Sequence, residues 1–179
     1  MPRIIRRVVT GHDDQGRSIV VSDGESPSVF RSQHINLASS EIWATEAAPS
    51  IPVDGDPMTS PLHDLPSVVG SRFRVVEMPP DSAMVTEGGD AGAGLAAYAE
   101  HSPGIMAGMH PDNPGMHVTD TVDYGIVLSG AVALELDDGV KVELASGDCV
   151  VQNGTMHAWR VLGDEPCVMA FIMIGATRA

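Results

Sequence analysis

The chain of 179 residues is long enough to bury one well-formed core and short for two. Its 43% hydrophobic and 19% charged content fits an ordinary soluble domain, and with aromatics at 4% the core must be built from Val, Leu, Ile, Met and Ala. The 24 acidic against 10 basic residues, a formal charge of −14, repel a phosphate backbone, so no nucleic-acid partner is expected.

The opening MPRIIRRVVTGHDD is basic but carries no apolar run or cleavage site of a signal peptide. No segment approaches the roughly 20 apolar residues that span a bilayer, so a cytoplasmic protein without a membrane partner is expected. Residues 4–10 and 18–22, rich in β-branched side chains, predict two strands around the polar turn HDDQG. In INLASSEIWATEAAPS the only large aromatic is Trp43, and the proline-dense IPVDGDPMTSPLHDLPS reads as loop. SRFRVVEMPP, residues 71–80, reads as a strand ended by its prolines. Over residues 90–101, DAGAGLAAYAEH fits a short helix or an ordered loop, since each glycine costs about 1 kcal/mol relative to alanine inside a helix.

From Gly115 onward short β-type runs are punctuated by SG, DDG, SGD, NG and GDEP. Val132, Leu134 and Leu136 alternate before Asp138-Gly139, and Val140, Val142 and Leu144 alternate after it. Period-two alternation on both sides of an Asp-Gly turn is the strongest short-range hairpin signal. Strands this short and this regularly spaced predict an antiparallel sandwich or barrel in one domain. Cys149 and Cys167 sit in apolar strand contexts without metal-type spacing, and are expected as two buried reduced thiols.

His117, Thr119 and Asp123 share parity, so an extended segment would point them to one face. His157 arrives from a later strand after a turn at Gly154, and a barrel can bring such inward residues together. Two imidazoles plus one carboxylate with open positions is an arrangement associated with non-haem iron(II), and zinc, manganese or nickel would accept it too.

These residues also resemble a known pattern. The stretch from Pro111 to Ile174 is similar to the cupin superfamily, small jelly-roll barrels with two linked motifs. His117 takes the first histidine position of the first motif, Thr119 stands where a second histidine is usual, and Asp123, with six residues between it and Gly130, takes the acidic position. In the second motif Gly147 opens, Gln152-Asn153-Gly154 replaces Pro-x-Gly, and His157 takes the histidine position. The resemblance implies an all-β antiparallel jelly-roll barrel with extra N-terminal strands. Residues 111–179 would form the barrel core, and residues 1–110 would pack on it within the same domain. It also implies a divalent metal (Fe, Zn, Mn or Ni) on His117, Asp123 and His157, with Thr119, Gln152 and Trp159 around the pocket. A homodimer formed through the N-terminal strands is expected by the same analogy.

The function this implies is an enzyme, of dioxygenase, decarboxylase or isomerase type, acting on a small, partly apolar molecule inside the barrel. The alternative is a metal-free barrel that binds or senses a small molecule. Each residue has a plainer role available. Asp123 could orient His117 by hydrogen bonding. Gln152 could satisfy turn backbone, and Trp159 could fill core. His110 could fold back to replace the missing histidine, Asp120 would face solvent, and Tyr124 would serve packing. His12, His34, His63 and His101 are expected at the surface.

Overall fold

The structure, a computed structural model, describes residues 3–59 and 65–179. The first two β-branched runs pair as a hairpin, β1 (Arg6–His12) against β2 (Ser18–Glu25), around the expected polar turn. Next come β3 (Val29–Phe30), β4 (Ala38–Thr45) and β5 (Ser71–Met78), the last ending just before Pro79. Two helices, α1 (Ala91–His101) and α2 (Pro103–Ala107), precede β6 (Thr121–Ser129). The remainder is β7 (Ala131–Glu135), β8 (Lys141–Ala145), β9 (Cys149–Asn153), β10 (Ala158–Val161) and β11 (Cys167–Gly175).

Local chemistry explains the two least obvious elements. β7 and β8 close through Asp138 and Gly139, whose φ angles of 57° and 74° are the positive values that an Asp-Gly turn tolerates. In α1 the Asp90 carboxylate caps the helix by accepting from the Ala93 N–H at 2.6 Å. Gly94 weakens α1 as a helix former, yet a Cβ there would stand 2.3 Å from Ile35 Cγ2. The helix therefore trades propensity for close docking on the barrel.

Among the described residues the strands form an antiparallel jelly-roll barrel. A six-stranded sheet, ordered β3-β4-β5-β11-β6-β9, packs over a three-stranded sheet, β10-β7-β8, and the β1-β2 hairpin forms a small separate sheet. β11 lies inside the large sheet, and its nearly unbroken apolar run CVMAFIMI is what a strand covered on both faces requires. Cys167, Met169, Phe171 and Met173 pack inward with Val127 and Val132. Val168 and Ala170 pack outward with Val75, beneath Ile5, Ile42 and Phe73.

Several expectations need correction. Residues 1–110 do not simply pack on a finished barrel: β5 pairs with β11 from Ser71↔Ile174 to Met78↔Cys167, and β4 pairs with β5. Among the described residues the β1-β2 hairpin forms a sheet of its own. β4 was illegible because Ser39, Ser40 and Glu41 are buried polar residues, and the register slips between Glu41 and Trp43, which breaks the period of two. Cys167 is buried, and burial pushes its thiol up to about 11, but Cys149 is exposed because β9 is an edge strand. Tyr124 is also exposed, at 47%, rather than packed. His63 lies outside the described residues. Among those residues no helix is long and apolar enough to cross a membrane.

Candidate functional site

The site is assembled from two facing walls. On the six-stranded wall, pairing register places Arg72, Met173, Asp123 and Gln152 in one row, and Glu41, Arg74, Phe171, Gly125 and Val150 in the next. Gly125 is needed in that row, because a Cβ would stand 2.8 Å from Val150 Cγ1 and 3.4 Å from Phe171 Cε1.

The other wall carries the histidines. His117 and His157 exchange both backbone hydrogen bonds, at 2.8 and 2.9 Å, so they are direct cross-strand partners. Their ring centroids lie 4.4 Å apart. Trp159, two residues beyond His157 and on the same face, meets that imidazole edge-on at 5.4 Å and reaches Phe171 at 5.5 Å, joining the walls.

Both imidazoles are held by their local turns. His117 Nδ1 lies 3.0 Å from the Gly115 carbonyl oxygen, and His157 Nδ1 lies 3.0 Å from the Thr155 carbonyl oxygen. A carbonyl only accepts, so each Nδ1 donates its hydrogen and each neutral ring keeps its lone pair on Nε2. The turns are themselves anchored. Arg160 donates to the Pro114 carbonyl and to Asn113 Oδ1 at 2.8 and 2.9 Å while its Nε binds Glu135. Gln152 Nε2 donates to the carbonyl and hydroxyl of Thr155.

Between the walls is a cavity of about 490 Å³, lined by His117, His157, Thr119, Asp123, Trp159 and Arg74 among mostly apolar side chains. Leu95 and Tyr98 of α1 and Ile105 of α2 close over it. Burial lowers the pKa of both imidazoles, that of His157 to about 4 with a further contribution from His117 beside it. Burial raises Asp123 to about 6, against the lowering effects of the Thr121 hydroxyl and the Arg74 charge.

These shifts set a testable pH dependence for chelator-treated protein. His157 is depressed, so its contribution to stability is present above pH 6.5 and is lost as pH falls toward 4. Asp123 is raised, so its contribution is present below pH 3.8 and is lost as pH rises through 6. Each is worth on the order of 3 kcal/mol, and the slopes oppose each other between pH 4 and 6. Urea unfolding of Asp123→Asn should therefore show stability falling with acid more steeply than wild type in that window. Parallel profiles for the two proteins would refute the assignment.

Of the sequence-based candidates, His117 and His157 come together, and Thr119, Asp123 and Trp159 line the same cavity. Asp123 nevertheless approaches from the opposite wall. The parity argument assumed one continuous strand, but the chain leaves the histidine wall after His117 and enters the large sheet at Thr121. Among the described residues no three His, Cys, Asp or Glu side chains cluster closely enough to hold a metal ion. Gln152 serves the turn before His157 rather than the cavity wall.

His110 does not replace the missing histidine: it is exposed, and its Nδ1 accepts from the Asp112 N–H. Asp120 faces outward in an ion pair with Arg178 at 2.7 Å, as expected. His101 is not at the free surface but half-buried as the last residue of α1, against Phe30 and 3.9 Å from Glu41. Arg74, Thr121 and the α1 face were not singled out from the sequence. Arg72 and Arg74 alternating with Phe73 and Val75 carried the signal for the first, and the shared parity of Thr119, Thr121 and Asp123 for the second.

Of the three expected donors, two meet on one wall. Two neutral Nε2 lone pairs stand on adjacent rings, each with its Nδ1–H held by a carbonyl, the outer hydrogen bond that metal-binding histidines use. The carboxylate does not complete a set of three in this arrangement.

Comparison with known proteins places residues 107–174 in a match to the Cupin_2 family, described as a cupin domain. Oryzines biosynthesis cluster protein J of Aspergillus oryzae is 38% identical over 69 residues, covering 38% of this chain and 35% of that protein. This chain therefore matches only about a third of that relative's length. The cupin-domain-containing oxidoreductase fogC of Aspergillus ruber is 26% identical over 97% of this chain and 73% of its own. Among solved structures, the cupin domain of Schizosaccharomyces pombe Cnp3 aligns with a TM-score of 0.44 and 12% identity, over 95% of this chain and 87% of that one.

Proposed function

We propose that this chain, which carries a cupin domain over residues 107–174, is an enzyme that takes a small, largely apolar molecule into its 490 Å³ cavity and holds a divalent ion on His117 and His157. The observation that carries this reading is the imidazole pair. Both rings are neutral, both are locked in the Nε2-acceptor tautomer, and they are neighbours on one cavity wall. Iron, zinc, manganese and nickel all accept such donors. A bound ion would supply Lewis acidity with positions left open for substrate. The protein's own groups do the rest. Trp159, Phe171 and Met173 exclude water around the substrate, and Arg160 and Gln152 hold the turns that aim the two rings.

The name of the Aspergillus ruber relative supports a redox reaction. The test is metal analysis of protein purified without chelator, followed by oxygen uptake over a panel of phenolic and diketone compounds. Stoichiometric metal with substrate-dependent oxygen uptake supports an oxidoreductase. Stoichiometric metal without uptake leaves decarboxylation or isomerisation as the reaction. A second reading, a metal-free binding module, is favoured by the two-imidazole donor set lacking a third residue among the described residues. Metal-free, folded protein from the same purification would select it.

We also infer a homodimer formed through the β1-β2 hairpin. A two-stranded sheet is marginal on its own, and this one exposes Val8, Val20 and Val21 at 49%, 59% and 54%. Light scattering should give twice the chain mass, and Val8→Lys/Val20→Lys should shift it to one chain mass. A monomeric wild type would refute this.

A further inference from the structure

We propose that Asp123 receives a hydroxyl of the substrate rather than serving as a third metal ligand, and that the substrate is an uncharged, apolar-bodied alcohol, phenol or enol. The inference rests on reading the cavity as a small-molecule site.

Asp123 is 6% exposed and lines the cavity, and its Oδ1 has no hydrogen-bond partner among the described residues. A buried acceptor left open is destabilising, and an arriving O–H would recover that cost. The same carboxyl group accepts from the Thr121 hydroxyl. Thr121 Oγ1 is in turn 2.7 Å from Thr119 Oγ1. A carboxylate only accepts, so Thr121 donates to Asp123 and Thr119 donates to Thr121. This one-way chain leaves Oδ1 as the open acceptor of a carboxyl group that lines the cavity.

The rest of the lining fixes the substrate's character. Val76, Met78, Phe171 and Met173 make the wall around Asp123 apolar. Arg74 is opposed by Glu41 at 3.3 Å, so an anionic substrate would lose its hydration with no new counter-ion, while a cationic one would meet the Arg74 guanidinium whose charge already acts on Asp123. A hydroxyl, by contrast, needs only the acceptor on offer. Burial raises Asp123 to about 6, making it a stronger base than an ordinary carboxylate. In proton transfer the substrate O–H bond breaks and an Asp123 O–H bond forms, while the electron pair stays on the substrate oxygen.

The experiment uses chelator-treated full-length protein and a matched pair of probes, 2-naphthol and 2-methoxynaphthalene, in equilibrium binding. Wild type should bind the naphthol about tenfold or more tightly than the ether. Asp123→Ala should abolish that preference, and Asp123→Asn, should the alanine variant fold poorly, should cut it at least threefold. An undiminished preference in both Asp123 variants overturns the proposal. Metal content provides a second arm: it should stay at the wild-type level in Asp123→Ala, and a fall to the level of His117→Ala would make Asp123 a ligand. If wild type binds neither probe, the small-molecule reading falls and takes this inference with it. If wild type binds both and only the preference is absent, the inference alone falls.

Discussion

Arg74→Met lowers the unfolding free energy by about 3–5 kcal/mol, the usual consequence of removing one partner of a buried ion pair. Arg74 and Glu41 side chains are 4% and 3% exposed and 3.3 Å apart, on neighbouring strands of the large sheet. Ser39 gives Glu41 one hydrogen bond at 2.9 Å, and His101 Nε2 stands 3.9 Å away, but neither supplies a full counter-charge at contact distance. Methionine fills most of the arginine volume and leaves Glu41 as a buried carboxylate facing an apolar neighbour. Urea denaturation measures the loss. Arg74→Met/Glu41→Leu should recover most of it, because an apolar pair replaces the ion pair at similar volume. A single-variant loss below about 1 kcal/mol would mean that the pair is solvated and does not organise the barrel interior.

The second large effect concerns metal. His117→Ala/His157→Ala should bind divalent metal at least about a hundredfold more weakly than wild type, since even partners outside the coordination sphere typically change affinity by 10–100-fold. Metal analysis after purification without chelator, followed by competitive titration, gives the comparison. Gly115→Ala offers a subtler form of the test. A Cβ there would stand 3.0 Å from Arg160 Nη1, and φ at this glycine is 84°, so the turn that fixes the His117 tautomer would shift. Affinity should fall in that variant while both imidazoles remain. Equal metal binding by the wild type and the double variant would place any bound ion elsewhere.

The barrel's C-terminal half was legible because its signals are local. The Asp138-Gly139 turn, the alternating runs around it and the apolar run of β11 each encode their own structure within ten residues or so. The His117 and His157 candidates came from the same stretch. What could not be read depended on burial of the wrong kind of residue. β4 buries Ser39, Ser40 and Glu41, because its partners Arg74 and Val76 lie about 35 residues on and no local pattern announces them. The α1 helix looked marginal by propensity, since its glycine is explained only by Ile35 across the fold.

The sequence by itself determined that strands dominate, that a tight hairpin closes at Asp138-Gly139, and that residues 117, 119, 123, 157 and 159 are the polar and aromatic groups available to a barrel interior. Alternation fixes the side of a strand on which a residue lies, and that is a local property of the backbone. Only the tertiary structure decided which wall each side occupies. His117 and Asp123 share parity, yet the chain changes sheets between them, so one joins His157 and the other faces it across the cavity. Which sheet a strand joins depends on hydrogen-bond partners far away in the chain, and no period within a single segment records them.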